Sequence, residues 1–171
     1  MTQARPAIIV SDTSVLVNFL CIDRMDLIAR YSHPIVVTDH VGDEITNYYP
    51  DQQARLTAAL TDGTIRQLAL VDPAELALFG MLAASGRLGT GECSAIALAI
   101  HHGHLLAIDD RRAANEARRS HAALRIVTTQ DLVTGMIREK LIAVTDADLI
   151  KDDWATNHRF RLPIASFADV L

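Results

Sequence analysis

Ala7-Ile8-Ile9-Val10-Ser11 leads directly into Asp12-Thr13-Ser14, and Val15, Leu16, Phe19 and Leu20 follow at helical spacing. A short continuous apolar run that ends in polar residues reads as a strand buried on both faces, the kind found in parallel sheets. Asp12 therefore stands where a strand ends and a helix begins. The same pattern recurs along the chain. Pro34–Thr38 (PIVVT), Thr64–Val71 (TIRQLALV), His104–Ile108 (HLLAI) and Arg125–Thr128 (RIVT) read as further strands.

Helical segments separate the strands. Asp23 is placed to cap a short helix carrying Met25, Leu27 and Ile28. Val41, Ile45 and Tyr48 mark one face of a helix that Pro50 ends, and Asp51–Leu60 forms the next. Asp72-Pro73 starts a helix that continues over Glu75–Ala84 to Gly86. Glu92–His102 is apolar nearly all round, which marks a helix buried on most sides, and Gly103 caps its end. Arg111–Ser120 is a charged helix, Thr129–Lys140 and Asp146–Thr156 are the last two, and the tail Phe160–Leu171 is apolar enough to pack back. This alternation calls for an α/β fold: three layers, with a mostly parallel five-stranded sheet between helices.

The chain has 171 residues, a length that suits one domain over 1–171. Half of the residues are hydrophobic and only 5% aromatic, so the core must be built mainly from Ala, Leu, Ile and Val. The net charge of −5 excludes nucleic-acid binding by bulk charge, and any such contact needs a local basic patch. Cys21 and Cys93 lie in apolar runs and read as small buried residues, with no disulfide framework or CxxC motif. No apolar run approaches the ~18 residues of a membrane span, so a soluble cytoplasmic protein is expected.

Sites in open parallel sheets form outside the carboxyl ends of the strands. Asp12 closes the first strand and Asp109-Asp110 the fourth; Glu44 lies on the helix after the second, and Glu92 in the first turn of the buried helix. Each alone has a structural reading as a helix cap, a dipole partner or a solvated side chain. Together they repel one another in a partly buried place, and a divalent cation removes that penalty. An oxygen-only ligand set without His or Cys favours Mg²⁺ or Mn²⁺ over Zn²⁺. Such an ion activates water and stabilises a leaving oxygen, the needs of phosphodiester hydrolysis.

Ser11–Leu20 (SDTSVLVNFL), Val41–Ile45 (VGDEI), Gly89–Ala99 (GTGECSAIALA) and Leu105–Arg112 (LLAIDDRR) resemble the PIN-domain nucleases. The likeness is to the branch with a Gly-Glu-x-x-Ala helix and an Asp-Asp pair, related to toxins of the virulence-associated protein C type, and it runs from about Ile8 to about Thr128. It implies Asp12 as the first metal ligand, Glu44 as the second acidic residue, Glu92 as the third and Asp110 as the fourth, with Asp109 its neighbour at the metal. It also implies a small-hydroxyl role for Ser14 beside the metal and a polar role for Asn18 on the same helix. The expected protein is a Mg²⁺- or Mn²⁺-dependent endoribonuclease, a homodimer inhibited by a small antitoxin protein. The alternative is a catalytically silent PIN-like module that binds nucleic acid or protein.

Other constellations carry less. Asp12-Thr13-Ser14 lacks the second aspartate of haloacid-dehalogenase phosphatases, and Lys140 and Lys151, the only lysines, do not follow strands as a response-regulator receiver requires. No dinucleotide or Walker-type phosphate loop occurs. His101, His102 and His104 flank Gly103 at a helix end, where positive charge suits the dipole, and no companion motif supports a metal there. Arg111 and Arg118 share a face of the helix that starts beside Asp110, suited to RNA phosphates, while a solvated face bridged to Glu116 is the competing reading.

Overall fold

The computed structural model describes residues 6–171. Five short strands, β1 (Ile9–Ser11), β2 (Ile35–Thr38), β3 (Arg66–Leu68), β4 (Leu105–Ala107) and β5 (Ile126–Val127), form one sheet in the order β3-β2-β1-β4-β5. Every neighbouring pair is parallel. β1 is central: Val10 pairs with Val36 on one side and Leu106 on the other. The chain winds outward from β1 to β3, then returns to place β4 against the opposite edge of β1. That reversal leaves a crevice at the carboxyl ends of β1 and β4, where ligands bind in such sheets.

Side chains alternate across the sheet as strand geometry requires. Ile9, Ile35, Val37 and Ala107 face one core, and Val10, Val36, Leu106 and Ile108 face the other. The first core is covered by α1 (Thr13–Cys21), α2 (Met25–Arg30), α3 (Asp39–Tyr48), α4 (Pro50–Thr61), α8 (Thr129–Arg138) and α9 (Val144–Asn157). The second is covered by α5 (Pro73–Ala84), α6 (Thr90–His102) and α7 (Arg111–Ser120). From Cys93 to Ala99 every residue of α6 is buried, and the run of Ala and Ser lets the helix lie close to the strands. Trp154 of α9 packs edge-on against Phe19 and donates its indole N–H to the Asn18 carbonyl at 2.7 Å. The tail does pack back, with Phe167 fully buried in a closing 3₁₀ turn.

The differences from the sequence reading are local. Thr64–Val71 shortens to the three residues of β3, an edge strand paired on one side only. Pro50 both follows the end of α3 and opens α4, because its fixed φ suits a first helical position. Tyr48, placed by periodicity with Val41 and Ile45, is 75% exposed, since α3 outruns the core it covers. Cys21 is half-buried rather than buried. Among the described residues, no helix is long and apolar enough to cross a membrane.

Candidate active site

Asp12, Glu44, Glu92 and Asp110 line one cleft of about 540 Å³ together with Thr13, Ser14, Gly89, Tyr48 and Tyr49. Among the described residues, no lysine or arginine lines it. The backbone of Asp12 is fixed by the sheet, its N–H bonding to the Ala107 carbonyl at 3.0 Å, so the first carboxylate is registered against the end of β4.

Three of the four carboxylates cap helices whose N-termini converge on the cleft. Asp12 caps α1, accepting from the Val15 N–H at 2.9 Å on Oδ1 and from the Ser14 hydroxyl at 2.7 Å on Oδ2. Asp110 caps α7, accepting from the Ala113 N–H at 2.8 Å. Glu92 lies in the first turn of α6 and accepts from the Gly89 N–H at 2.9 Å. The capping reading and the site reading are therefore both true of these residues. Glu44 reaches the same place from α3: Thr13 Oγ1 donates to its Oε2 at 2.6 Å, and the Gly91 N–H to its Oε1 at 2.7 Å.

The electrostatics match a cation site. Asp12 is only 2% exposed, and burial, with further repulsion from Asp109 and Glu92, pushes its carboxyl up to about 7 against the bonds from Val15 and Ser14. Glu92 is also raised, first by burial and then by Asp110 and Glu44. A carboxylate offers about four lone-pair directions, and the bonds above use one or two on each residue, so acceptor capacity remains. An all-oxygen set of this kind fits a hard divalent ion such as Mg²⁺ or Mn²⁺.

Two residues named with this group sit apart from it. Asp109 turns away from the cleft: it accepts from the Thr129 N–H at 2.8 Å, the Thr129 hydroxyl at 2.6 Å and the Asn18 amide at 3.2 Å. Burial raises its carboxyl despite the Thr129 bonds. Asn18, 8% exposed, spends its amide on Asp109 and Thr129 and does not line the cleft. Both tie α1 to the start of α8.

Arg111 and Arg118 are exposed and line a neighbouring cleft of about 270 Å³ with Asn115 and Thr128. Neither forms an ion pair among the described residues, whereas Arg119 and Arg87 both bridge to Glu116 at 2.7 and 2.8 Å. The solvated, bridged reading of this helix thus holds for Arg119, and Arg111 and Arg118 stay available.

Sequence reasoning passed over Thr13, Gly91, Tyr48 and Tyr49. The two tyrosines carried a signal, being adjacent, at a helix end and four residues beyond Glu44. The apparent place of Tyr48 on the apolar face of α3 hid it.

Comparison with known proteins agrees with this architecture. The family model DUF3368, described as a PIN domain, matches residues 8–171, and the chain belongs to this PIN-domain nuclease family. Among solved structures, a PilT N-terminus domain protein from the hyperthermophilic archaeon Sulfolobus solfataricus P2 is similar at 16% identity, over 76% of this chain and 93% of that one, with a TM-score of 0.52. VapBC2 from Rickettsia felis, bound to a DNA fragment from its promoter, is similar at 12% identity, over 71% of this chain and 98% of that one, with a TM-score of 0.48. No curated protein matches the chain.

Proposed function

We propose that the protein is a cytoplasmic Mg²⁺- or Mn²⁺-dependent endoribonuclease, acting as the toxin of a type II toxin–antitoxin pair. The observation that carries the nuclease reading is a buried Asp12 sharing one cleft with Glu44, Glu92 and Asp110. Holding four carboxylates together in a cleft that no cationic side chain lines among the described residues is costly, and the cost has a use if a divalent ion binds there. Asp12, Glu92 and Asp110 would hold the ion, with Glu44 braced beside them by Thr13 and Gly91. A bound ion supplies an activated water and charge stabilisation at the leaving oxygen. Ser14 orients the Asp12 carboxylate through its 2.7 Å bond, and Asp109 and Asn18 position the start of α8. Arg111 and Arg118 would take substrate phosphates beside the cleft. The toxin assignment, the homodimer and the antitoxin partner rest on the motif resemblance of Ser11–Leu20, Val41–Ile45, Gly89–Ala99 and Leu105–Arg112.

The test is cleavage of single-stranded RNA by purified protein free of antitoxin. Cutting is expected in Mg²⁺ or Mn²⁺, to stop with EDTA, and to fall by orders of magnitude in Asp12→Asn and Asp110→Ala. Intact RNA across structured and unstructured substrates in both metals would favour the silent binding module instead. Co-expression with the product of an adjacent small reading frame should suppress the activity, and unchanged cleavage would remove the toxin assignment.

A further inference from the structure

At the other end of α6 from the acidic cleft, the first turn of α5 meets the last turn of α6. One potential ligand atom from each of Glu75, His101 and His102 lies within 4.8 Å of the others. Glu75 is 1% exposed. Its Oε2 is held by the Val71 N–H at 3.0 Å and the Asp72 N–H at 3.1 Å, which fixes the direction of the carboxylate. Its Oε1 is buried and faces His102. The Nε2 of His102 stands 2.6 Å from that oxygen, an ion-pair contact that, against burial, helps hold the Glu75 carboxyl below its usual range. A buried carboxylate aimed by two backbone N–H groups thus meets two imidazoles on adjacent residues, all three within reach of one ion. Asp72 flanks the group, with Oδ2 3.8 Å from His101 Nε2 and Oδ1 occupied in capping α5.

We propose that Glu75, His101 and His102 form a second metal site, for a borderline transition ion of the Zn²⁺ class. Two imidazoles and one carboxylate are a donor set such ions take readily, and one that hard ions do not favour. The buried carboxylate, oriented by two backbone N–H groups, supplies the outer support that metal ligands require. His101 and His102 are partly exposed, so the site opens to solvent and leaves a position for water or Asp72. Glu92 and His102 lie ten residues apart on α6, about 15 Å at the helical rise, so this ion is distinct from one in the acidic cleft. Bound there, it would pin the start of α5 to the end of α6 and close that helical hairpin.

Tag-free full-length protein titrated with Co²⁺ tests the site through the visible d–d absorption of a protein-bound ion. We expect bands at one equivalent, displaced by Zn²⁺ and untouched by excess Mg²⁺. They should persist in the Asp12→Asn/Asp110→Asn double variant. In His101→Ala and His102→Ala, affinity should fall by at least the ~10- to 100-fold that loss of an outer-shell partner alone causes. Because both histidines are partly exposed, circular dichroism should show these variants folded. Glu75→Gln is the third arm, checked in the same way. Absence of bands in the wild-type protein would mean that Glu75 and His102 form an ion pair only. Bands that survive both histidine substitutions, or that vanish with the Asp12/Asp110 pair, would also overturn the proposal.

Discussion

The Gly91 N–H donates to Glu44 Oε1 at 2.7 Å, and a β-carbon on Gly91 would stand 2.5 Å from the other oxygen of that carboxylate. The same carbon would come within 2.8 Å of Thr13 Oγ1, the second donor to Glu44. Gly91 is thus required by the close approach of a side chain, since α6 would accept alanine without strain. We expect Gly91→Ala to leave the fold nearly unchanged, because a flexible Glu44 can swing away. Cleavage should fall by about 10²-fold, the scale of an ångström-sized misplacement of a catalytic group. Thermal melting and RNA cleavage measured on one preparation check this; a large loss of stability with activity retained would refute it.

Asp12 gives the metal-free protein a pH dependence of defined sign. Its carboxyl is raised from 3.8 to about 7 by burial, so the folded state holds its proton more tightly than the unfolded state does. Stability from this group is fully present below about pH 4 and is lost as pH rises through 7. The change is on the order of 4 kcal/mol at most. In EDTA, wild-type protein should therefore lose stability across this window relative to Asp12→Asn, which has no such titration. At pH 8, saturating Mg²⁺ or Mn²⁺ should restore about 2 to 3 kcal/mol at a hundredfold excess over Kd, and Asp12→Asn should lose most of that gain. Equal metal shifts in the two proteins would place the ion elsewhere.

The fold was legible where burial on both faces left the sequence no other pattern. The runs around Val10, Val36 and Leu106 are apolar throughout because helices cover both sides of the sheet. β3 was over-extended because Thr64–Val71 continues its apolar character into the loop before α5. In the candidate site, Asp12, Glu92 and Asp110 were readable because strand ends and helix starts place them. The split between Asp109 and Asp110 was not. Adjacent residues leaving a strand point to opposite sides, and only the position of Thr129 decides which carboxylate is consumed. The Glu75–His102 approach was equally hidden, because it joins helices whose packing the sequence does not state.

That split makes its own prediction. Asp109 accepts three hydrogen bonds from Thr129 and Asn18, and Asp110 accepts one at the cap of α7 while lining the cleft. Asp109→Ala should cost about 2 to 4 kcal/mol of stability by stranding buried donors. Asp110→Ala should cost only about 1 kcal/mol as a lost cap, yet abolish most cleavage. Denaturant unfolding and cleavage rates for the two variants check it. The reverse pattern, with Asp109 the more damaging to activity at unchanged stability, would move the fourth ligand to Asp109.

The cleft wall and the α7 ridge should contribute to RNA binding in separable ways. Tyr48 and Tyr49 line the acidic cleft at 75% and 36% exposure, beyond what the core needs. A ring in that position can stack on an unpaired base, worth about 1 to 3 kcal/mol per base and tolerant of sequence. Arg111 and Arg118 lie beside the cleft on exposed turns of α7 and suit phosphates. Binding is best measured on Asp110→Ala protein, which on the proposed function should hold RNA without cutting it. Against that background, Tyr48→Ala should weaken binding by an amount that hardly changes with salt, since stacking releases no counterions. Arg111→Ala and Arg118→Ala should instead weaken it most at low salt, each flattening the dependence of log K on log salt by about 0.7 on single strands. Double-stranded RNA, whose bases are already stacked, should be indifferent to Tyr48→Ala and still sensitive to both arginines. If the tyrosine and arginine variants shift the salt slope alike, the cleft holds backbone alone and the stacking role fails.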